Sequence, residues 1–434
     1  MTRKLILSLS FLGACSLCLP RPAVCQEPSP EQVLTLPQGI ERALQNNQRL
    51  LMAQEDIRIS EQRLREAQSQ YFPQLGLNFN SARYLAEQNY VMPPEFGSVL
   101  LRPSRGLEPD MFYSARAWLK QPLYSGGRTR NTIRLSRTNL ERARIQYEEI
   151  RSRLVFDVTK AFYDVLLCQR KIQIRVEALN SLSALSLSVS SEDVRRRTEL
   201  GVAQSRLRRE IAERRRELES ARLTFLSVLG VELYTQVGIQ GELTALSFDM
   251  DLAKLLAWAQ ESRSEIRQTD FQQEMDKLAV NLSQAERFPV VAFGAAYELN
   301  DPEFPLKTTQ WSAALNVSLP LFDGFSSRAR IRQKRMQANQ SRIRRAQIED
   351  EVNLEVRESY ADVVYWQNER LRREKELQEA ESLTRGLENG KDAGDRLRAK
   401  TWLIELRESY WEAVHGQRVA AAKLQKAVGR PLGE

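Results

Sequence analysis

From Arg128 to about Val189 the chain runs for roughly sixty residues without a glycine or a proline. Gly126-Gly127 stand before the stretch and Ser190-Ser191-Glu192-Asp193 after it. Its apolar residues step by three and four, through Leu140, Ala143, Tyr147, Ile150, Leu154, Val158, Ala161, Val165, Cys168, Ile172, Val176, Leu179 and Leu182. The pattern predicts one helix about 90 Å long, at 1.5 Å per residue. Helices of ordinary domains stop after three or four turns, so a compact core cannot use this one.

The same unit occurs twice. A shift of roughly 198 positions lays Pro122-Leu123-Tyr124 and Gly126 over Pro320-Leu321-Phe322 and Gly324. Phe162, Asp164 and Val165 then fall on Tyr360, Asp362 and Val363, and Ile145, Ile150, Val158, Leu179 and Leu185 on Ile343, Ile348, Val356, Leu377 and Leu383. Gly230 meets Gly429 one residue off register. Chance does not hold a register for about a hundred residues.

The first 25 residues read as a secretory signal: Arg3 and Lys4, the apolar run Leu5 to Leu19, and a small-residue exit near Ala23-Val24-Cys25. An alternative reading takes Leu12-Gly13-Ala14-Cys15 as a lipid-attachment site, which makes Cys15 an acylated anchor. Cleavage after Cys25 leaves Cys168 alone, which excludes an internal disulfide. No later apolar run is long enough for a membrane helix, so any insertion must use strands. The net charge of +8 reads as Lys and Arg dispersed along solvated helix faces. No basic stripe is interleaved with stacking aromatics, which argues against nucleic acid as a partner.

Taken in order, the first repeat spans residues 31–230. It opens with a short amphipathic helix from Pro37 to Asn47 and a second from Arg49 to Gln70. Phe72-Pro73 ends it, and alternation of Leu75, Leu77 and Phe79 with Gly76, Asn78 and Asn80 predicts a strand over about 74–85. Prolines and glycine from Leu85 to Asp110 predict a loop, and 113–123 a second strand whose polar row Trp118 interrupts. The long helix, 128–189, and a return helix, 193–230, follow. Residues 231–250 form a non-periodic connector. The second repeat, 251–434, has an opening helix from Asp251 to Glu261 and an incoming helix from Ser264 to Glu286. Its strands lie at about 290–298 and 310–321, its long helix at 326–386 and its return helix at 393–429. In both repeats the incoming and return helices together equal the long helix in length, so each unit can make a hairpin with one continuous and one stacked arm.

Between Trp311 and Leu321 an apolar row opposes a small polar row over about eleven residues, the length and pattern of an outer-membrane barrel strand. Four strands cannot close a barrel, which needs about eight or more; three copies supply twelve. Extended helical arms with apolar flanks likewise must pack on neighbours. The fold class expected is therefore mainly α with a small β part: two tandem helix-strand-strand-long helix-helix repeats. Assembled, they make a trimeric 12-stranded outer-membrane β-barrel continuous with a periplasmic α-helical tunnel. The competing reading is a non-transporting periplasmic coiled-coil scaffold or adaptor, to which the alternation in Trp311–Leu321 contributes nothing.

The paired Phe-Pro strand starts, the paired Pro-Leu-aromatic-x-Gly exits at Pro122 and Pro320, and the Ala-x-x-x-Leu-x-x-x-x-Gly ending from Ala420 to Gly429 carry a resemblance. In that duplicated order the chain resembles the TolC-like outer-membrane factor family, the exit ducts of tripartite efflux pumps and type I secretion systems. The resemblance implies a homotrimer in outer-membrane lipid, with a periplasmic adaptor and an inner-membrane pump at the tunnel tip. It also implies that the helix turns, with Ser190, Glu192, Asp193, Asp392 and Asp395, form the tunnel tip or the adaptor contact, where these acids either ring the mouth or merely cap helices. Two features depart from the family pattern: Asn47-Gln48 and Arg263-Ser264-Glu265 stand where Asn-Pro and Arg-Pro-acid are common, and Arg398 stands where a second tip acid is expected. No catalytic constellation, cofactor loop or metal cluster is found; the single histidine, His415, has no Cys or second His near it in sequence. Energy for transport is expected from partners.

Overall fold

The computed structural model describes residues 32–83, 90–91, 100–101, 111–188, 194–388 and 393–431. The chain begins with β1 (Gln32–Leu34), α1 (Leu36–Asn46), α2 (Gln48–Ser69) and β2 (Gln74–Arg83). After the short strands β3 (Tyr90–Val91) and β4 (Leu100–Leu101) come β5 (Met111–Ser125), α3 (Arg128–Ser188) and α4 (Val194–Leu229). The second half holds β6 (Val237–Ile239), α5 (Leu252–Ser262), α6 (Ser264–Ala285), β7 (Val290–Asp301), β8 (Thr308–Ser318), α7 (Ser326–Glu388) and α8 (Ala393–Val428).

The duplication is visible in the bounds. Both opening helices have 11 residues and both incoming helices 22, and both return helices have 36. The long helices have 61 and 63. The long helices start 198 positions apart, Arg128 to Ser326, whereas the incoming helices start 216 apart, Gln48 to Ser264. The difference arises between the two strands of each repeat, where 84–110 is far longer than 302–307.

Each long helix packs along a stacked pair on either side where one exists: α3 against α2 and α4 on one flank and α6 and α8 on the other, and α7 against α6 and α8. The stacking joints explain the unusual residues there. At the first, Asn47 accepts from the Arg49 amide at 3.0 Å, capping α2, and its amide donates to the Val228 carbonyl at 2.9 Å, closing the end of α4. At the second, the buried Arg263 guanidinium donates to the Lys426 carbonyl at 3.0 Å, closing α8. It also meets Glu355 of α7 at 2.5 Å and Glu265 at 2.9 Å. Side chains thus satisfy orphan helix-end groups at both joints.

The exit motif also acquires a cause. Its variable position holds Ser125 in one repeat and Asp323 in the other. The Ser125 hydroxyl accepts from the Thr129 amide at 3.2 Å and the Asp323 carboxylate from the Ser327 amide at 2.8 Å, so both cap the long helix that follows. The glycine next to each has positive φ, 63° at Gly126 and 65° at Gly324, which turns the strand into the helix.

Among the described residues three apolar cores lie along the arms. Val158, Phe162 and Val165 of α3 pack with Phe225 and Leu229 of α4. Val356 and Val363 of α7 pack with Leu255 and Ala259 of α5 and Leu424 of α8. Ile174, Leu182 and Leu200 fill the lower arm.

Several expectations change. Residues 231–250 are more than a connector: β6 pairs in parallel with β1, Val237 opposite Gln32, and Leu246 exchanges two hydrogen bonds with the Gln417 side chain at 2.7 and 3.3 Å. The segment is a strap laid across the arms. Within the expected loop from Leu85 to Asp110, Tyr90 and Val91 pair with Leu101 and Leu100. The last strand ends at Ser318 rather than 321, because its partner β7 begins at Val290, directly opposite Ser318. The strand expected at 290–298 runs on to Asp301, paired with Tyr113.

The two turn glycines separate strain from crowding. A Cβ at Gly126 would lie 2.7 Å from the Ala285 carbonyl oxygen, whereas at Gly324 nothing lies within 4 Å. Both substitutions to Ala should incur the left-handed penalty, about 1–2 kcal/mol, and Gly126→Ala should cost measurably more. Thermal unfolding of the two variants in detergent checks the order; equal losses would refute it.

Candidate membrane face and duct wall

The four long strands form one antiparallel sheet, in the order β2-β5-β7-β8. Its register sorts the side chains into two faces. Across the sheet one row reads Leu77, Ala117, Tyr297, Trp311 and the next Leu75, Leu119, Ala295, Ala313. Further along the same face lie Phe293 with Leu315 and Val291 with Val317. The opposite face carries Asn78, Arg116, Glu298 and Gln310 in one row and Asn80, Ser114, Asn300 and Thr308 in another. One face suits hydrocarbon and the other water. Trp118, out of place in sequence, sits on the polar face against Gly76, where an added Cβ would come within 2.5 Å of the indole. Glycine at position 76 makes room for that ring.

Among the described residues the outer edges of β2 and β8 pair with no further strand. β8 is exposed along its whole length, with Trp311 at 81% and Val317 at 64%, and Leu75 and Leu77 of β2 stand at 75% and 76%. No described helix is long and apolar enough to cross a membrane.

Below the sheet, a histidine–carboxylate contact and two ion pairs join α3 of the first repeat to α8 of the second. Asp164 meets His415 at 2.7 Å, Lys171 meets Glu412 at 2.5 Å, and the buried Arg175 meets Glu408. Lys423 meets Asp362 of α7 at 2.8 Å. Leu167, Trp366 and His415 are among the side chains around a cleft of about 450 Å³ between these helices. Its charges are matched one to one. Among the described residues no three His, Cys, Asp or Glu side chains converge as a metal site would require. Burial pushes the Cys168 thiol up, with Glu217 adding to the shift, so that it stays protonated and inert.

Of the tip candidates, only Asp395 falls in the described part. It is exposed in the first turn of α8 and bonds the Arg398 guanidinium at 2.8 Å. Ser190, Glu192, Asp193 and Asp392 lie outside the described residues, as does Cys15.

Charge is less evenly spread than the sequence reading held. The first turns of α7, Ser326 to Ile348, hold eight basic residues and no acid, while Glu349 to Glu388 hold twelve acids and six bases. Glu286, just past α6, answers two of the cations beneath the sheet, Arg128 at 3.7 Å and Arg330 at closer range. The segregation is legible in the sequence itself, within the long helix expected at 326–386.

No curated protein matches the sequence. Among solved structures, CusC is 17% identical with a TM-score of 0.74, covering 95% of this chain and 99% of its own. VceC of Vibrio cholerae, an outer membrane protein, is 15% identical with a TM-score of 0.74 over 91% and 96%. The MtrE outer membrane channel of Neisseria gonorrhoeae, in its open state, is 17% identical with a TM-score of 0.75 over 91% and 89%. At these identities the likeness is one of fold. The sequence itself matches the family described as outer membrane efflux protein over residues 39–230 and 255–430, one match for each repeat. The chain belongs to the outer membrane efflux protein family.

Proposed function

We propose that this chain is the subunit of an outer-membrane exit duct, of a tripartite efflux pump or a type I secretion system, that conducts substrates passively from a periplasmic pump assembly to the exterior. One observation carries the reading: a sheet with an apolar and a polar face, open at both edges, runs directly into helices about 90 Å long at 1.5 Å per residue. In lipid the unpaired amides and carbonyls of β2 and β8 have no water to bond, so each edge must meet the other edge of a neighbouring copy. Three copies give twelve strands and a homotrimer. The free flanks of α7 and of the α2/α4 arm meet in the same operation.

In that assembly the polar sheet face and the matched ion pairs of α3 and α8 line the lumen. The strap lies outside, since inside it would plug the tube. The duct itself carries no energy source; a periplasmic adaptor and an inner-membrane pump supply it, docking at the helix turns around Ser190, Glu192, Asp193, Asp392 and Asp395. Outer-membrane lipid surrounds the barrel.

A heat-sensitive trimer that conducts in planar bilayers is the expected result for the purified protein; a monomer without channels would favour the periplasmic scaffold instead. Leu315→Arg, on the apolar face, should cost folding into bilayers about 2–4 kcal/mol if it sits near the midplane. Ser312→Arg, on the other face, should leave folding intact and change conductance. Equal folding losses would undo the assignment of the faces. At the tip, Asp395→Ala leaves Arg398 unmatched, and single-channel reversal potentials should shift toward anions; unchanged selectivity would remove Asp395 from the mouth.

A further inference from the structure

The helices emerging from the sheet begin with the same basic pattern in both repeats. Arg130, Arg134 and Arg137 of α3 correspond, at the 198-residue offset, to Arg328, Arg332 and Arg335 of α7. The spacing of four and three puts each trio on one stripe of its helix. All six are exposed. The ten residues from Arg128 to Arg137 and from Ser326 to Arg335 contain four and five basic side chains and no acid. Among the described residues Arg130, Arg134, Arg137, Arg332 and Arg335 make no ion pair, while Arg328 stands over the Phe325 ring at 5.4 Å. Arginines that served only to solubilise a helix would be interleaved with acids, as they are further down α7.

Helical phase gives the direction of the stripes. Phe162 of α3 packs under the strap, where a Cβ on Gly241 would come within 3.0 Å of its ring, and Tyr360 of α7 packs on Phe248 of the strap. Arg130 precedes Phe162, and Arg328 precedes Tyr360, by the same interval. At roughly 3.5–3.6 residues per turn, all six arginines return to within about 80° of the strap side. That is the outer surface of the tube.

Height follows from the strand ends. Phe72, Tyr124, Phe288, Phe322 and Phe325 stand exposed where the strands meet the helices, the level of an aromatic girdle at a membrane interface. The three rows lie at about 3, 9 and 14 Å along each helix from its first residue. A headgroup layer is about 5–7 Å deep and the Debye length about 8 Å at physiological salt, so the first two rows reach phosphates directly and the third lies within their field.

We propose that these duplicated arginine stripes form a collar around the duct that binds the phosphates of anionic lipids in the periplasmic leaflet of the outer membrane. The proposal rests on the membrane reading of the sheet. Guanidinium groups match phosphate oxygens as bidentate donors, and Phe325 beneath Arg328 supplies the apolar footing that holds such a side chain at an interface. The collar fixes the depth of the duct and orients it with the helices on the side where the arginines meet headgroups.

The test uses the full-length protein reconstituted in phosphatidylcholine vesicles with a minority of phosphatidylglycerol, with spin-labelled versions of both lipids reporting on the lipid shell. Wild type should prefer phosphatidylglycerol at least about fivefold, the effect of one surface cation, and lose the preference in 1 M NaCl. The combined variant Arg130→Gln, Arg134→Gln, Arg328→Gln and Arg332→Gln should lose most of the preference, and the corresponding Lys variant should keep most of it. Conductance of the same vesicles separates the two readings. Conducting wild type without lipid preference, a conducting Gln variant that retains it, or a preference unmoved by salt would each overturn the collar. Should the Gln variant fail to insert, the wild-type salt dependence decides. Wild type that does not conduct brings down the duct reading itself.

Discussion

A helix of about 90 Å can bury its apolar flanks only against something equally long, and the chain solves this by stacking two shorter helices end to end beside each long one. The joint is the point at risk. Where two helices abut, one presents unpaired carbonyls and the other unpaired amides. Asn47 serves the two ends at once, accepting from the Arg49 amide and donating to the Val228 carbonyl. Arg263 does the equivalent work with a charge, and because it is buried it needs Glu265 and Glu355 as counter-ions. A buried cation with one partner missing costs several kcal/mol, so Arg263 also locks α6, α7 and α8 to one another. The two repeats therefore reach the same geometry by different chemistry, one neutral and one ionic.

Much of this was legible in sequence because it rests on long periods. Sixty residues without Gly or Pro admit one structure, and a repeat that holds its register fixes the second half from the first. Strands of ten residues alternate long enough to be read. The strap was not legible: β1 and β6 have three residues each, too few to show a period, and they pair across 202 intervening positions. Nor was Arg263 recognisable as a joint residue, since its partners are set by the approach of α8 and α7 from far along the chain. Trp118 looked like a flaw in its strand until the register placed it on Gly76. The tip candidates rest on the turn positions and on the family resemblance, and among the described residues only Asp395 can be placed, beside Arg398.

The placement of charge divides the molecule by height. In the outer membrane, where this family resides, the sheet must present hydrocarbon outward and water inward, and its register does so with hardly an exception. Immediately beneath, the first turns of both long helices are cationic; further along, α3 mixes both signs and α7 carries acids in excess from Glu349 on. A tube in water needs only solubility, which mixed charge provides at any height. Segregated charge at a fixed distance from the strand ends answers a surface instead, and the repeat offset sets that distance identically on both long helices. A threefold copy then makes the belt continuous, with the unpaired strand edges above it supplying the reason for the threefold.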